Sequence, residues 1–233
     1  MRYLFTLILL IGFSQFGIAQ NRIWLSSGIK TTIFTKDLDF QAGFNTRFYD
    51  NGRYDKLFPE LNLEYELLNW LDASLDYRWV FNQSRTSYAR TRGHRININT
   101  EPKLEFGRFR FKTRARLQYS FRRFAGTGNY EPDFDNALRF KAAIKYNIDN
   151  FKADPEIESE WFYNTNNGQF GRQFVKYRFA LGIDINLPKD HSISIKYRYD
   201  YEFNLANPGR FHIISIGHKF EYDRDEYRYN RKN

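Results

Sequence analysis

The sequence predicts an all-β protein, a single antiparallel transmembrane β-barrel of about 10–12 strands preceded by a cleavable signal peptide. Three observations carry this prediction. Residues alternate strictly between apolar and polar in stretch after stretch, as in Ser192-Ile193-Ser194-Ile195-Lys196-Tyr197-Arg198-Tyr199-Asp200-Tyr201-Glu202-Phe203. A period of two is the mark of a strand with one apolar and one polar face. Roughly ten or eleven such stretches follow one another, with short and long connections in alternation. Ahead of them lies a segment built like an export signal.

That segment has a short positive start, Met1-Arg2, then an apolar stretch from Leu4 to Phe13. It ends in Gly17-Ile18-Ala19, with small residues where a signal peptidase reads. The organisation expected is a signal peptide over 1–20, a barrel over 21–222 and a charged tail over 223–233. Cleavage removes Arg2, which lowers the formal charge of +9 by one.

The candidate strands cover residues 23–33, 39–49, 59–67, 71–81, 94–106, 109–121, 137–148, 156–163, 173–187, 192–203 and 211–222. In the third, Leu61, Leu63, Tyr65 and Leu67 oppose Glu60, Asn62, Glu64 and Glu66. In the fourth, Leu75, Tyr77, Trp79 and Phe81 oppose Asp72, Ser74, Asp76 and Arg78. Pro102 removes a ladder donor from the fifth and predicts an irregularity there. The sixth sets Phe109, Phe111, Ala115 and Leu117 against Arg110, Lys112, Arg114 and Arg116. Asn69-Trp70, Gly107-Arg108 and Leu187-Pro188-Lys189-Asp190 read as tight turns. The longer links fall on the opposite end. Eleven is an odd count, whereas single-chain bacterial barrels have even numbers. The expectation is therefore ten or twelve, with the irregular first strand the place of error.

Composition is consistent with a membrane barrel. The chain has 17 Tyr and 24 Phe among 233 residues, which suits strands and membrane interfaces. Mean hydropathy is −0.69, as expected when a strand meets lipid only at every second residue. The basic balance invites a nucleic-acid reading; interspersed acids and the export signal argue against it. No Cys is present, which excludes disulfides and thiolate metal sites.

In a membrane barrel the charged faces line the lumen. Candidate lumen residues are Arg110, Lys112, Arg114, Arg116, Arg139, Lys141, Lys145, Glu156, Glu158, Glu160, Glu60, Glu64 and Glu66. Basic and acidic strands within reach of one another satisfy each other's charges. This predicts a charge-paired interior, either structural or a narrow ion-selective pore. Trp79, Phe81, Trp161, Tyr163, Tyr201 and Phe203 end their strands on the long-loop side as an aromatic girdle.

Catalytic patterns are not evident. His94, His212 and His218 share the phase of apolar neighbours, and His191 beside Ser192 reads as turn chemistry. No G-x-S-x-G, zinc spacing or calcium loop occurs. The loop acids Glu131, Asp133 and Asp135 read as solvated. The expectation is a non-enzyme with no cofactor, the alternatives being a surface enzyme acting on lipid or peptide, or a soluble periplasmic sheet protein.

Two resemblances add to this. Ser215-Ile216-Gly217-His218-Lys219-Phe220-Glu221-Tyr222 resembles the terminal β-signal of outer-membrane proteins, with Ser215, Gly217, Phe220 and Tyr222 at the pattern positions. It implies insertion by the barrel-assembly machinery; the tail after Tyr222 departs from that pattern. The whole chain resembles the DUF2490 family of uncharacterised outer-membrane-type proteins common in Bacteroidota. The resemblance is carried by Trp24, Phe44-Asn45-Thr46-Arg47-Phe48, Leu75-Asp76-Tyr77-Arg78-Trp79, Pro155 to Tyr163, and Ser194 to Tyr199. It implies a barrel in the cell outer membrane in contact with its lipid, and no catalytic residues.

Overall fold

The computed structural model describes residues 20–84, 89–123, 130–132, 136–149, 151–166 and 171–222. Residues 1–19 of the proposed signal segment over 1–20, the tail over 223–233, and Asp133 and Asp135 lie outside them; Gln20 is the first residue of the described chain.

Twelve strands form: β1 (Gln20–Thr32), β2 (Leu38–Tyr49), β3 (Tyr54–Leu68), β4 (Leu71–Gln83), β5 (Arg90–Phe106), β6 (Phe109–Arg123), β7 (Tyr130–Pro132), β8 (Ala137–Tyr146), β9 (Ala153–Asn164), β10 (Gln173–Asn186), β11 (His191–Glu202) and β12 (Arg210–Tyr222). Eleven close into a ring. The three-residue β7 pairs only with the end of β6, above the wall.

The ring is antiparallel everywhere except at one seam. There β1 pairs with β12 in parallel, from Gln20 opposite Phe211 to Thr31 opposite Tyr222. This corrects the expectation of ten or twelve strands. Successive hairpins reverse direction at every step, so an odd number of passes leaves first and last strands running the same way. Closure then requires a parallel pair. The irregular first stretch is a full strand with partners on both sides.

Prolines mark where the ladders thin. Pro59 lies inside β3, which begins at Tyr54 and so earlier than its alternation suggested. Phe58 and Pro59 have no partners in β4, yet the register is the same on both sides. Pro102 likewise interrupts pairing of β5 with β6 without shifting register. An amide lost to proline costs one ladder bond, and neighbouring pairs hold the alignment.

One end of the ring carries links over 33–37, 69–70, 107–108, 147–152 and 187–190; the other carries 50–53, 84–89, 124–136, 165–172 and 203–209. The first is the short-turn end and the second the long-loop end. Gly107 adopts φ 57° in its two-residue hairpin, a conformation glycine reaches at no steric cost.

Outward positions form a continuous apolar band. Leu61, Leu75, Ile98, Leu117, Ile144, Ile157, Leu181, Ile195 and Ile216 are all exposed on it. Aromatic residues flank the band at both ends. Near the long loops Trp161 packs on Tyr177 and Tyr163 on Phe174, and Tyr119 meets Phe121 edge-on. Near the short turns Phe109 packs on Tyr146, with Phe106 and Trp70 exposed beside the turns. The girdles are ten residues apart along β6, roughly 25 Å after strand tilt. The buried residues are mostly polar and face inward, among them Asp76, Asn97, Asn99, Arg116 and Glu160. A polar interior inside an apolar wall inverts the soluble barrel and matches a membrane one.

Candidate functional site

Alternation sends every second side chain into the lumen, where the charges gather into three clusters. Asp76 of β4 accepts from Arg116 Nη2 at 2.8 Å, Asn62 at 2.5 Å, and Asn97 and Asn99 at 3.2 and 3.3 Å. Glu160 of β9 accepts from Arg139 through three bonds, from Nη2 at 2.8 and 2.9 Å and from Nε at 3.1 Å. It also accepts from Arg114 at 2.8 Å and Arg178 at 3.3 Å. Arg178 forms a two-bond fork with Asp200 at 2.6 and 2.7 Å. Glu158 takes Lys141 at 3.0 Å, Lys196 at 2.7 Å and Arg198 at 3.4 Å. Planar forks of this kind fix both partners in direction as well as distance.

The remaining candidate lumen residues form smaller pairs, most of them toward the short-turn end. Glu60 pairs with Arg78 at 2.7 Å, Glu64 with Lys30 at 3.0 Å and Glu66 with Lys103 at 2.9 Å. Lys145 pairs with Asp184 at 2.8 Å, and Glu156 with Lys196. Arg110 turns to Glu105 at the exposed rim, 2.6 Å away. Lys112 is exposed on the same strand and forms no ion pair among the described residues. These two are thus apart from the buried clusters: the phase is right, but their height puts them at the mouth.

Alternation alone did not single out the aromatic residues on the polar phase. Trp24, Phe58 and Phe162 face inward and receive guanidinium groups. Arg47 lies 3.9 Å from the Trp24 ring centroid, Arg178 4.9 Å and Arg198 5.7 Å. Arg47 and Arg78 each stand 5.2 Å from Phe58, and Arg139 4.4 Å from Phe162. The available signal was Trp24 itself, a large aromatic between Ile23 and Leu25 where the polar phase falls.

The lumen holds two main cavities, of about 780 Å³ toward the short turns and about 460 Å³ toward the long loops. Both are lined in part by Arg78, Arg114 and Arg116, which mark the narrowing between them. Their charges differ. The short-turn cavity is lined by seven Lys or Arg and seven carboxylates. The long-loop cavity is lined by twelve Lys or Arg against five carboxylates. Among the described residues no group of three metal-ligating side chains occurs.

The outer face carries one arrangement that sequence reasoning placed differently. His191, read as turn chemistry, opens β11 and points its Nδ1 at His218 Nε2, 2.9 Å away. His218 Nδ1 stands 3.3 Å from Ser27 Oγ, its register partner across the parallel seam. Only closure of the ring brings residues 27 and 218 together. His94 bonds Tyr77 at 2.7 Å and stacks beside Trp79; His212 bonds Tyr197 at 2.5 Å. These two are outward side chains satisfied by neighbouring phenols.

In the assembly pattern, the small residues Ser215 and Gly217 face the lumen, and Phe220 and Tyr222 face outward beside the short-turn girdle. A Cβ at Gly217 would stand 2.7 Å from Ser194 Oγ and 2.9 Å from Ser26 Oγ. A side chain there would oblige both serine hydroxyls to turn away.

Comparison with solved structures gives the β domain of the Bordetella autotransporter Brka, with TM-score 0.42 and 14% identity over 78% of this chain and 81% of that one. Pseudomonas aeruginosa OccK11 (OpdR) follows at TM-score 0.38 and 11% identity over 77% of this chain, and OccK5 (OpdH) at 0.35 and 14% over 76%. This chain spans about half the length of the two Pseudomonas proteins, 55% and 54%. No curated protein matches the sequence. The family profile described as "Protein of unknown function (DUF2490)" matches residues 21–211, most of the chain, and the protein belongs to that family.

Proposed function

We propose that this protein is an outer-membrane barrel that passes small ions through a narrow, charge-paired lumen with a preference for anions. The observation that carries the reading is the charge imbalance of the long-loop cavity, twelve cations against five carboxylates. In a low-dielectric tube of this kind an excess of one sign concentrates counter-ions of the other. Eleven strands lie between small barrels filled by side chains and porins of 16–18 strands with open channels. The Arg and carboxylate clusters narrow that intermediate bore further. The apolar band with its two girdles supports the membrane setting. The loop asymmetry supports long loops outward and short turns toward the periplasm. The terminal pattern from Ser215 to Tyr222 supports delivery by the barrel-assembly machinery.

The test is reconstitution of the purified full chain in a planar bilayer under a salt gradient. Stable small steps with a reversal potential on the anion side are expected. A well-folded barrel that gives no steps would sink the conducting reading.

A second reading, hydrolysis of lipid esters at the outer wall, is favoured by the Ser27–His218–His191 chain alone. A hydroxyl hydrogen-bonded to an imidazole that a third group orients is the arrangement of an activated nucleophile. It ranks second because β1 is paired on both edges. The amides beside Ser27 are then spent in ladders rather than open to an oxyanion. A fluorophosphonate probe decides it. Labelling of the native protein that disappears in Ser27→Ala supports a nucleophile, and equal labelling of both, or of neither, removes it.

A further inference from the structure

A third, smaller cavity opens off the lumen on the wall made by β1 to β4, β11 and β12. It measures about 180 Å³. Its lining includes Arg47, Arg78 and Arg198, the hydroxyls of Ser26, Ser194 and Ser215, and the rings of Trp24 and Phe58. No Asp or Glu lines it. In a lumen where carboxylates are otherwise abundant, this pocket has guanidinium groups and hydroxyls on its lining and no carboxylate.

The arginines differ in how far their charge is answered. Arg78 is paired with Glu60 at 2.7 Å, and Arg198 reaches Glu158 at 3.4 Å. Arg47 has no ion pair and no side-chain hydrogen bond among the described residues; it rests on Trp24 at 3.9 Å and on Phe58 at 5.2 Å. An aromatic face attracts a guanidinium but leaves its N–H groups unspent. Two buried donors beside it, Trp24 Nε1 and Arg78 Nε, lack a partner among the described residues. A half-buried cation with no carboxylate in contact is only partly answered, and each unmet buried donor is costly. One anion placed between these groups would answer all of them together.

Volume and donor chemistry define its class. At about 30 Å³ per water, the cavity has room for roughly six waters. That suits a tetrahedral oxyanion or a small organic phosphate, and is too small for a chain of sugars or a lipid. Guanidinium forks and hydroxyls together are the donors that recognise phosphate and sulfate oxygens.

We infer that the Trp24–Arg47–Arg198 pocket is a binding site for a small phosphate- or sulfate-type oxyanion, held on the wall of the lumen. The inference rests on the lumen reading above, since the anion must enter from the pore. It adds a resident site to a general preference of sign.

Titration calorimetry with inorganic phosphate and the detergent-folded full chain tests it. Saturable binding is expected, with sulfate competing and chloride at equal ionic strength leaving it intact. Arg47→Gln should weaken it at least tenfold. Arg47→Lys, which keeps the charge and loses the fork, should fall between the two. Heat-modifiable migration confirms that each variant is folded. If Arg47→Gln does not fold, Ser194→Ala, which removes one lining hydroxyl, takes its place with a several-fold weakening expected. No saturable binding to the native barrel, or binding unchanged in the folded variants, overturns the site. Conductance of the same preparations keeps the two proposals apart. A barrel that conducts without binding phosphate defeats the pocket alone, and one that binds phosphate without conducting defeats the pore alone.

Discussion

At the scale of single residues, the interior is governed by how completely each charge is answered. Glu160 is the clearest case. It is almost fully buried and receives three arginines, Arg114, Arg139 and Arg178, from three different strands. Replacing it by Gln keeps the shape and removes the charge, so three guanidinium groups lose their common partner. Breaking a buried pair from one side costs about 3–5 kcal/mol. Glu160→Gln should lose that much stability in urea unfolding from phospholipid vesicles. Glu105→Gln at the exposed rim, where Arg110 is also solvated, should stay within about 0.5 kcal/mol. Equal effects at the two positions would mean that the lumen is as wet as the rim. The alternation marked both Glu160 and Arg110 as inward. It had no means of telling a residue at mid-height from one at the mouth, because the phase of a strand contains no depth.

At the scale of elements, the seam between β1 and β12 is the decisive feature. A parallel pair has evenly spaced, slanted bonds and is slightly weaker per residue than an antiparallel one. Here it runs over twelve consecutive partners. Its register is open to a direct test in a chain without cysteine. Leu25→Cys with Ile216→Cys sits on directly paired outward positions. The double variant should oxidise to an internal cross-link that alters migration after boiling. Leu25→Cys with Ile214→Cys, one repeat out of register, should remain largely reduced. The reverse result would displace the seam. The strands themselves were readable because each carries its own alternation. The pairing of the first with the last was not, since nothing local in residues 20–32 refers to residues 210–222. The same gap hid the Ser27–His218 contact, whose partners are 191 residues apart.

At the scale of the whole molecule, the distribution of charge along the axis matters more than the net charge. The balanced half near the short turns and the cation-rich half near the long loops make the lumen electrically lopsided. Anion preference in a bilayer should therefore be strong at low salt. It should fall as ionic strength rises toward 1 M, where the Debye length shrinks to about 3 Å. A preference unchanged between dilute and molar salt would assign selectivity to size rather than field. The two halves also give direction to the barrel. With eleven passes, β1 starts at the long-loop end and β12 finishes at the short-turn end.

What the sequence by itself determined was the strand, its two faces and the sidedness of the barrel. Ile193, Ile195, Tyr197, Tyr199 and Tyr201 alternate with Lys196, Arg198, Asp200 and Glu202, and that pattern alone sends one set outward and the other inward. Side-chain direction in a strand is fixed by backbone geometry at each residue, so local order suffices. The tertiary structure decided three further things: an odd ring closed in parallel, the pairing of charges across the lumen, and the gathering of Trp24, Arg47 and Arg198 around one pocket. Each depends on which distant strands become neighbours. That is set by closing the sheet on itself, where every edge must find a partner, and no stretch of the chain specifies it alone.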